Sequence, residues 1–380
     1  MTRPPVSLLA LPRLALAVAV AVTAAGAPGC TSDGDGGDGG DDEGDDGGPS
    51  SEGEGEGEGE PPAEPLPVDD DAWTYTLVDG AVCGNGDPVG VATNRGASSR
   101  LVIYLEGGGA CWDAFTCAND FAVYVDTGLP QSVIGQITRL NVGIFARGAA
   151  ANPFAADSFA YVPYCTGDVH GGTNPDTPWG VRHVGGTNLE VMLPRILATF
   201  PDVEEVVLTG TSAGGYGSIY NAARLHALLP PTTTLSVLHD SSAPLPPFPG
   251  AEAAAAAQVA AWQPPLCAGC TTVAALFDDN LAALPDVRFG LIQSNADQTL
   301  RFFFSPDGQQ LPPATWDTAL DAWVAARADV PNLRVFITPG EKHVYVYDGN
   351  FAATVVDGVT LSSFMAGVVG DGDFVSAVTP

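Results

Sequence analysis

Short apolar runs alternate with longer amphipathic stretches through most of this 380-residue chain. The runs lie at 101–105 (LVIYL), 158–163 (SFAYVP), 204–209 (EEVVLT), 234–238 (TLSVL), 287–293 (VRFGLIQ) and 333–338 (LRVFIT). They are short and continuously apolar, which predicts strands buried on both faces of a mostly parallel sheet. Helix-forming stretches at 187–199, 215–229, 251–262, 271–283 and 315–328 fall between them. Alternation of β and α over about 300 residues predicts one doubly wound α/β domain with helices on both faces. No internal repeat is visible.

The first seventy residues follow another pattern. Arg3 and Arg13 supply a basic region ahead of an apolar stretch, Leu14 to Ala25, too short to span a bilayer comfortably, so 1–30 reads as an export signal. Its end, Ala27-Pro28-Gly29-Cys30, resembles a bacterial lipobox, which makes Cys30 a candidate lipidation site. From Thr31 to Asp71 there are seventeen acidic residues and no Lys or Arg, spaced by Gly, Pro and Ser. With almost nothing to bury and strong self-repulsion, 31–71 is expected to be an extended, disordered tether. The folded domain is then expected over 72–380.

Over the whole chain acids outnumber bases: 45 Asp and Glu against 14 Lys and Arg give a net charge of −31. Nucleic acid is excluded as a partner, and a strongly anionic polymer would be repelled. Six cysteines follow Cys30, an even number that behind an export signal reads as three disulfides. The close pairs are Cys111–Cys117 and Cys267–Cys270, which leaves Cys83 with Cys165. Cys267-Ala-Gly-Cys270 lacks a second CxxC and a thioredoxin-like frame, so it reads as a loop staple rather than a redox or zinc motif. No cofactor or metal is expected.

The chemistry concentrates at 203–229. A β-branched run enters Gly210-Thr211-Ser212-Ala213-Gly214, and an amphipathic segment follows at once. Strand, G-x-S-x-G and helix in that order form the nucleophile elbow of α/β-hydrolases. The turn lifts the Ser212 hydroxyl clear of the sheet, and the Ala213 amide at the helix start can face an oxyanion. A serine needs a histidine to take its proton and an acid to orient that histidine. His343, past the 333–338 run, is the candidate base. Asp297, past the 287–293 run, is the candidate acid, with Asp240 at the end of the 234–238 run as its rival. Gly107-Gly108-Gly109 after the first run would supply the second oxyanion amide. Asp168 and His170, beside Cys165, either line the cleft or belong to a loop ordered by the disulfide.

Tyr104-Leu105-Glu106-Gly107-Gly108-Gly109-Ala110-Cys111 with Cys117 resembles a signature block of the pectin acetylesterase/Notum family of carboxylesterases. Val162 to His170, Gly210 to Gly214 and Leu238-His239-Asp240-Ser241 are similar to three further blocks, in the same order. The resemblance spans about 80–345. It implies an α/β-hydrolase-like fold, a triad of Ser212, Asp297 and His343, and an oxyanion hole at Gly108 and Ala213. The chain departs from the pattern in three places. Ala110 stands where plant members carry Trp, no cysteine flanks His343, and the spacing after Asp297 is shorter.

The expected function is thus an exported serine carboxylesterase, secreted or held at the cell surface by a lipid anchor. Its expected substrate is an acylated glycan or related ester bearing acetyl or another short acyl group. The alternatives are a non-catalytic surface-binding module on the same fold, or a lipase or thioesterase using the same triad. A long acyl chain would need an apolar tunnel, which the sequence does not display.

Overall fold

A computed structural model describes residues 63–70, 72–149, 151–305 and 309–379. The expected export signal, Cys30 and the tether up to residue 62 lie outside the described residues. Six strands match the six apolar runs: β3 (Arg100–Leu105), β4 (Ser158–Val162), β5 (Glu205–Thr211), β6 (Thr234–Asp240), β7 (Arg288–Ser294) and β8 (Leu333–Thr338). Ahead of them come β1 (Thr74–Val82) and β2 (Pro88–Asn94). A small hairpin, β9 (Val355–Val356) and β10 (Val359–Thr360), precedes the last strand, β11 (Ala377–Val378).

Nine of these strands form one sheet in the order β1-β2-β4-β3-β5-β6-β7-β8-β11. The pairs β1–β2 and β2–β4 are antiparallel, and every pair from β4 to β11 is parallel. Alternate side chains of each central strand serve opposite faces. In β3, Leu101, Ile103 and Leu105 join one core, while Val102 and Tyr104 join the other. Helices Gly185–Thr199, Ala213–Leu228 and Val273–Ala283 contribute to the first core, and Leu361–Val368 to the second. This is the mostly parallel, doubly wound α/β-hydrolase-like architecture expected.

The boundary of the folded part lies earlier than residue 72. Leu66 is 3% exposed, and its amide donates to Thr199 Oγ1 at 2.7 Å. The Thr93 hydroxyl donates to the carbonyl of Pro67. Residues 63–70 therefore pack against the sheet edge and the Gly185–Thr199 helix. One leucine with fixed backbone partners outweighs the acidic composition around it.

The carboxyl ends of β3, β5, β6, β7 and β8 all open on one rim, where a doubly wound sheet carries its ligand site. Within the described residues, no helix is long and apolar enough to cross a membrane.

Candidate active site

Ser212 joins β5 to the helix Ala213–Leu228 with φ 54° and ψ −118°, a conformation costly for a residue with a side chain. Its amide donates to the Asp240 carbonyl at 2.8 Å, and its carbonyl accepts from the Tyr216 amide. The turn is tight enough that a Cβ on Gly214 would sit 1.9 Å from the Leu105 carbonyl oxygen, so only glycine fits there. Ala213 begins the helix, and its amide has no preceding helical turn to donate into. The Gly107 turn lies against this elbow: a Cβ on Gly107 would come within 3.2 Å of the Ser212 Cβ.

His343 and Asp297 are paired. His343 Nδ1 lies 3.0 and 2.9 Å from the two carboxylate oxygens of Asp297. Asp297 is fully buried and caps the helix Gln298–Phe303, accepting from the Leu300 amide at 2.9 Å and from Gln293 Nε2 at 2.9 Å. With Nδ1–H committed to the acid, the Nε2 lone pair of His343 is left for a proton.

The rival acid does other work. Asp240 Oδ2 accepts from the amides of Tyr345 and Val346 at 2.7 and 2.9 Å, and Oδ1 from the Ser241 hydroxyl. Ser241 in turn accepts from the amide of Val344, which has φ 61°, unusual for a β-branched residue. Burial raises the Asp240 carboxyl to about 6, against the pull of those amides. One residue thus ties the base loop to the elbow: its side chain holds 345–346 and its main chain holds Ser212.

The glycine turn is pinned at both ends. His170 Nε2 donates to the Glu106 carbonyl at 2.8 Å, and the Tyr164 hydroxyl donates to the Gly109 carbonyl at 3.1 Å. The Glu106 carboxylate accepts from the Tyr164 amide, and burial raises this carboxyl to about 7. The rings of Tyr164 and His170 lie 4.8 Å apart. Asp168, fully buried, accepts from the Thr166 hydroxyl and the Gly185 amide at 2.6 Å each. Of the two readings open for Asp168 and His170, the ordered loop is the one seen. It is Val169 between them that reaches the pocket.

An apolar pocket opens at this elbow. About 120 Å³ in volume, it lies beside Ser212 and Ala213, between Tyr216, Val259, Trp262 and Phe303. The wall is overwhelmingly apolar, and much of it comes from helix Glu252–Trp262. The space was invisible in the sequence because its lining comes from several distant segments, and a nearly all-alanine helix has no distinct face.

Three disulfides pair the cysteines as expected: Cys83–Cys165, Cys111–Cys117 and Cys267–Cys270, with Cα separations of 5.0, 4.9 and 5.1 Å. The second closes its loop directly behind the glycine turn.

An elbow serine at the rim of a mostly parallel sheet, with a buried acid paired to a part-buried histidine past the ends of two further strands, fits the α/β-hydrolase class of architecture. Comparison with known proteins narrows the class. The pectinacetylesterase family model matches residues 71–245. Palmitoleoyl-protein carboxylesterase notum2 of Xenopus laevis is 32% identical over 163 residues, 41% of this chain and 32% of that protein. The inactive palmitoleoyl-protein carboxylesterase notum1b of Danio rerio is 33% identical over 98 residues, 25% of this chain and 68% of that one. The Drosophila Wnt deacylase Notum superimposes with a TM-score of 0.60 at 18% identity, over 78% of this chain and 92% of that structure. The chain belongs to the pectin acetylesterase/Notum family. It spans about a third of the length of the Xenopus, planarian and mouse relatives it matches.

Proposed function

We propose that this protein is a serine carboxylesterase whose acyl pocket takes an aliphatic chain longer than acetyl. The observation that carries the reading is the apolar pocket opening on Ser212. Its apolar wall favours an aliphatic chain, which gains roughly 0.8 kcal/mol per buried methylene. Relatives named palmitoleoyl-protein carboxylesterases support the same reading.

In this reading Ser212 Oγ attacks the ester carbonyl as His343 Nε2 takes its proton. Asp297 holds the imidazole in the required tautomer and stabilises the imidazolium that forms. The amides of Gly108 and Ala213 receive the oxyanion, helped by the positive end of the Ala213–Leu228 helix. The imidazolium protonates the leaving alcohol. A water, deprotonated by the same nitrogen, then frees the acid from the acyl-enzyme.

Export, with Cys30 as a lipid anchor and the acidic segment as a tether, belongs to the same proposal; the three disulfides support export.

The test is a series of p-nitrophenyl esters from acetate to palmitate on wild type and Ser212→Ala. We expect kcat/KM to rise with chain length to an optimum beyond acetate. In Ser212→Ala, kcat should fall on the order of 10³-fold or more, with folding and melting temperature retained. A maximum at acetate would return the protein to short-acyl chemistry. Fluorophosphonate labelling that persists in Ser212→Ala would remove the nucleophile assignment.

A further inference from the structure

We propose that Cys111, Cys117 and His183 form a redox-gated site for a soft divalent cation, closed by the disulfide when oxidised and able to take zinc when reduced. The donor atoms of the three residues lie within 4.8 Å of one another, and all three residues are buried. His183 carries the stronger sign. Its Nδ1 donates to the Thr166 carbonyl at 2.8 Å, which fixes the tautomer and leaves a lone pair on Nε2. That Nε2 is buried and has no hydrogen-bond partner among the described residues. An imidazole whose far nitrogen is held by a carbonyl while its near nitrogen lacks a partner is the arrangement of a histidine oriented for a metal.

The backbone places this ring against the sulfurs. His183 exchanges both main-chain hydrogen bonds with Asn174, at 2.9 and 2.8 Å. Across Gly167, a Cβ would lie 2.8 Å from Cys111 Sγ and 3.5 Å from His183 Cε1. Val125 and Val181 pack around the pair, so the shell is dry. Tetrahedral zinc needs sulfur at about 2.3 Å and imidazole nitrogen at about 2.0 Å. Once reduction frees the two sulfurs, side-chain rotation parts them to admit such an ion, with the imidazole nitrogen already within 4.8 Å.

The chemistry balances simply. A phosphine and water reduce the disulfide, the phosphine leaves as its oxide, and each sulfur gains a proton. The cation then displaces those two protons, binds two thiolates, and accepts the Nε2 lone pair as third ligand. The fourth position remains for water. Because Cys111 directly follows the glycine turn, the same loop has two closed states, a disulfide and a metal dithiolate.

The test uses the full-length protein carrying Cys267→Ser and Cys270→Ser, so that the half-exposed CxxC pair cannot bind. It is titrated with cobalt(II) before and after phosphine reduction. Thiolate-to-cobalt charge transfer is followed, and bound metal is counted after desalting. We expect one cobalt per reduced chain, none per oxidised chain, and displacement by zinc. Adding His183→Gln should weaken binding on the order of 100-fold. Adding Cys111→Ser, which leaves Cys83 and Cys165 in place, should abolish it. Undiminished affinity in His183→Gln, or no stoichiometric cobalt in the reduced chain, would overturn the proposal. Unfolding on reduction despite excess cobalt would overturn it too, since the ion is expected to replace the staple.

Discussion

Exchanging a carboxylate for an amide at Asp297 and at Asp240 should have opposite consequences, although both residues are fully buried at strand ends. Every partner of the Asp297 carboxylate is a donor: His343 Nδ1, the Leu300 amide and Gln293 Nε2. In Asp297→Asn the new NH2 must face at least one of them. The Leu300 amide is fixed by the backbone, and the Gln293 side chain is held by its Oε1, which accepts from the Ala243 amide. The histidine is the group free to change tautomer. It would then accept at Nδ1 and carry its proton on Nε2, where it cannot take one from serine. A misplaced tautomer of this kind lowers kcat about 10⁴-fold, about 5 kcal/mol of transition-state stabilisation. Asp240 differs. Its Oδ2 takes two amides and its Oδ1 meets a hydroxyl, which can accept as well as donate. Asparagine therefore keeps both loop anchors, and Asp240→Asn should cost less than about tenfold in kcat, since the base and its orienting acid remain intact. The assay is steady-state hydrolysis of the preferred p-nitrophenyl ester, with urea unfolding to establish equal stability. If Asp240→Asn proved the more damaging at equal stability, the roles of the two acids would have to be exchanged.

Tyr164→Phe should lower kcat roughly 10²-fold with little change in KM, because freeing the Gly109 carbonyl lets the glycine turn shift by about 1 Å; a parallel rise in KM would point to the pocket instead. Glu106→Gln should flatten the fall of stability with pH. The folded-state value is raised from 4.5 to about 7, so the native chain binds the extra proton and loses up to about 3 kcal/mol as pH rises through that window. Asp240 has the same sign, but its window ends near 6, so urea unfolding between pH 6 and 7 isolates Glu106; an unchanged slope there refutes its part. Truncation to residue 63 should leave Tm unchanged. Truncation to residue 72 should lower it by several degrees through loss of Leu66, worth roughly 1.5–3 kcal/mol; equal Tm values for the two would contradict its packing.

The central strands and the longer helices were legible because each presents an unbroken apolar run or a helical period. The outer strands were not. Three of the nine residues of β1 are exposed at the sheet edge, Asp79 and Gly80 among them, while β2 opens on proline, so neither shows a clean period. The elbow at Ser212 and the pairing of Asp297 with His343 could be anticipated from one rule, that each follows a strand end. The work of Asp240 could not, because it depends on the docking of residues 344–346, a hundred positions downstream. His170 and Tyr164 stood out by motif, yet only the fold reveals that they grip opposite ends of one turn.

The helix Glu252–Trp262 gives the pocket beside Ser212 an unusual freedom to change. Ala254, Ala255, Gln258 and Val259 face the cavity, while Ala253, Ala256, Ala257 and Ala260 face solvent. Its middle contributes nothing to the two cores that hold the sheet together. Enlarging one inward alanine would shorten the cavity, and trimming Val259 would lengthen it, at little cost to the scaffold. If the pocket takes the acyl chain as proposed, substrate preference can drift in evolution by single substitutions, without passing through unstable intermediates.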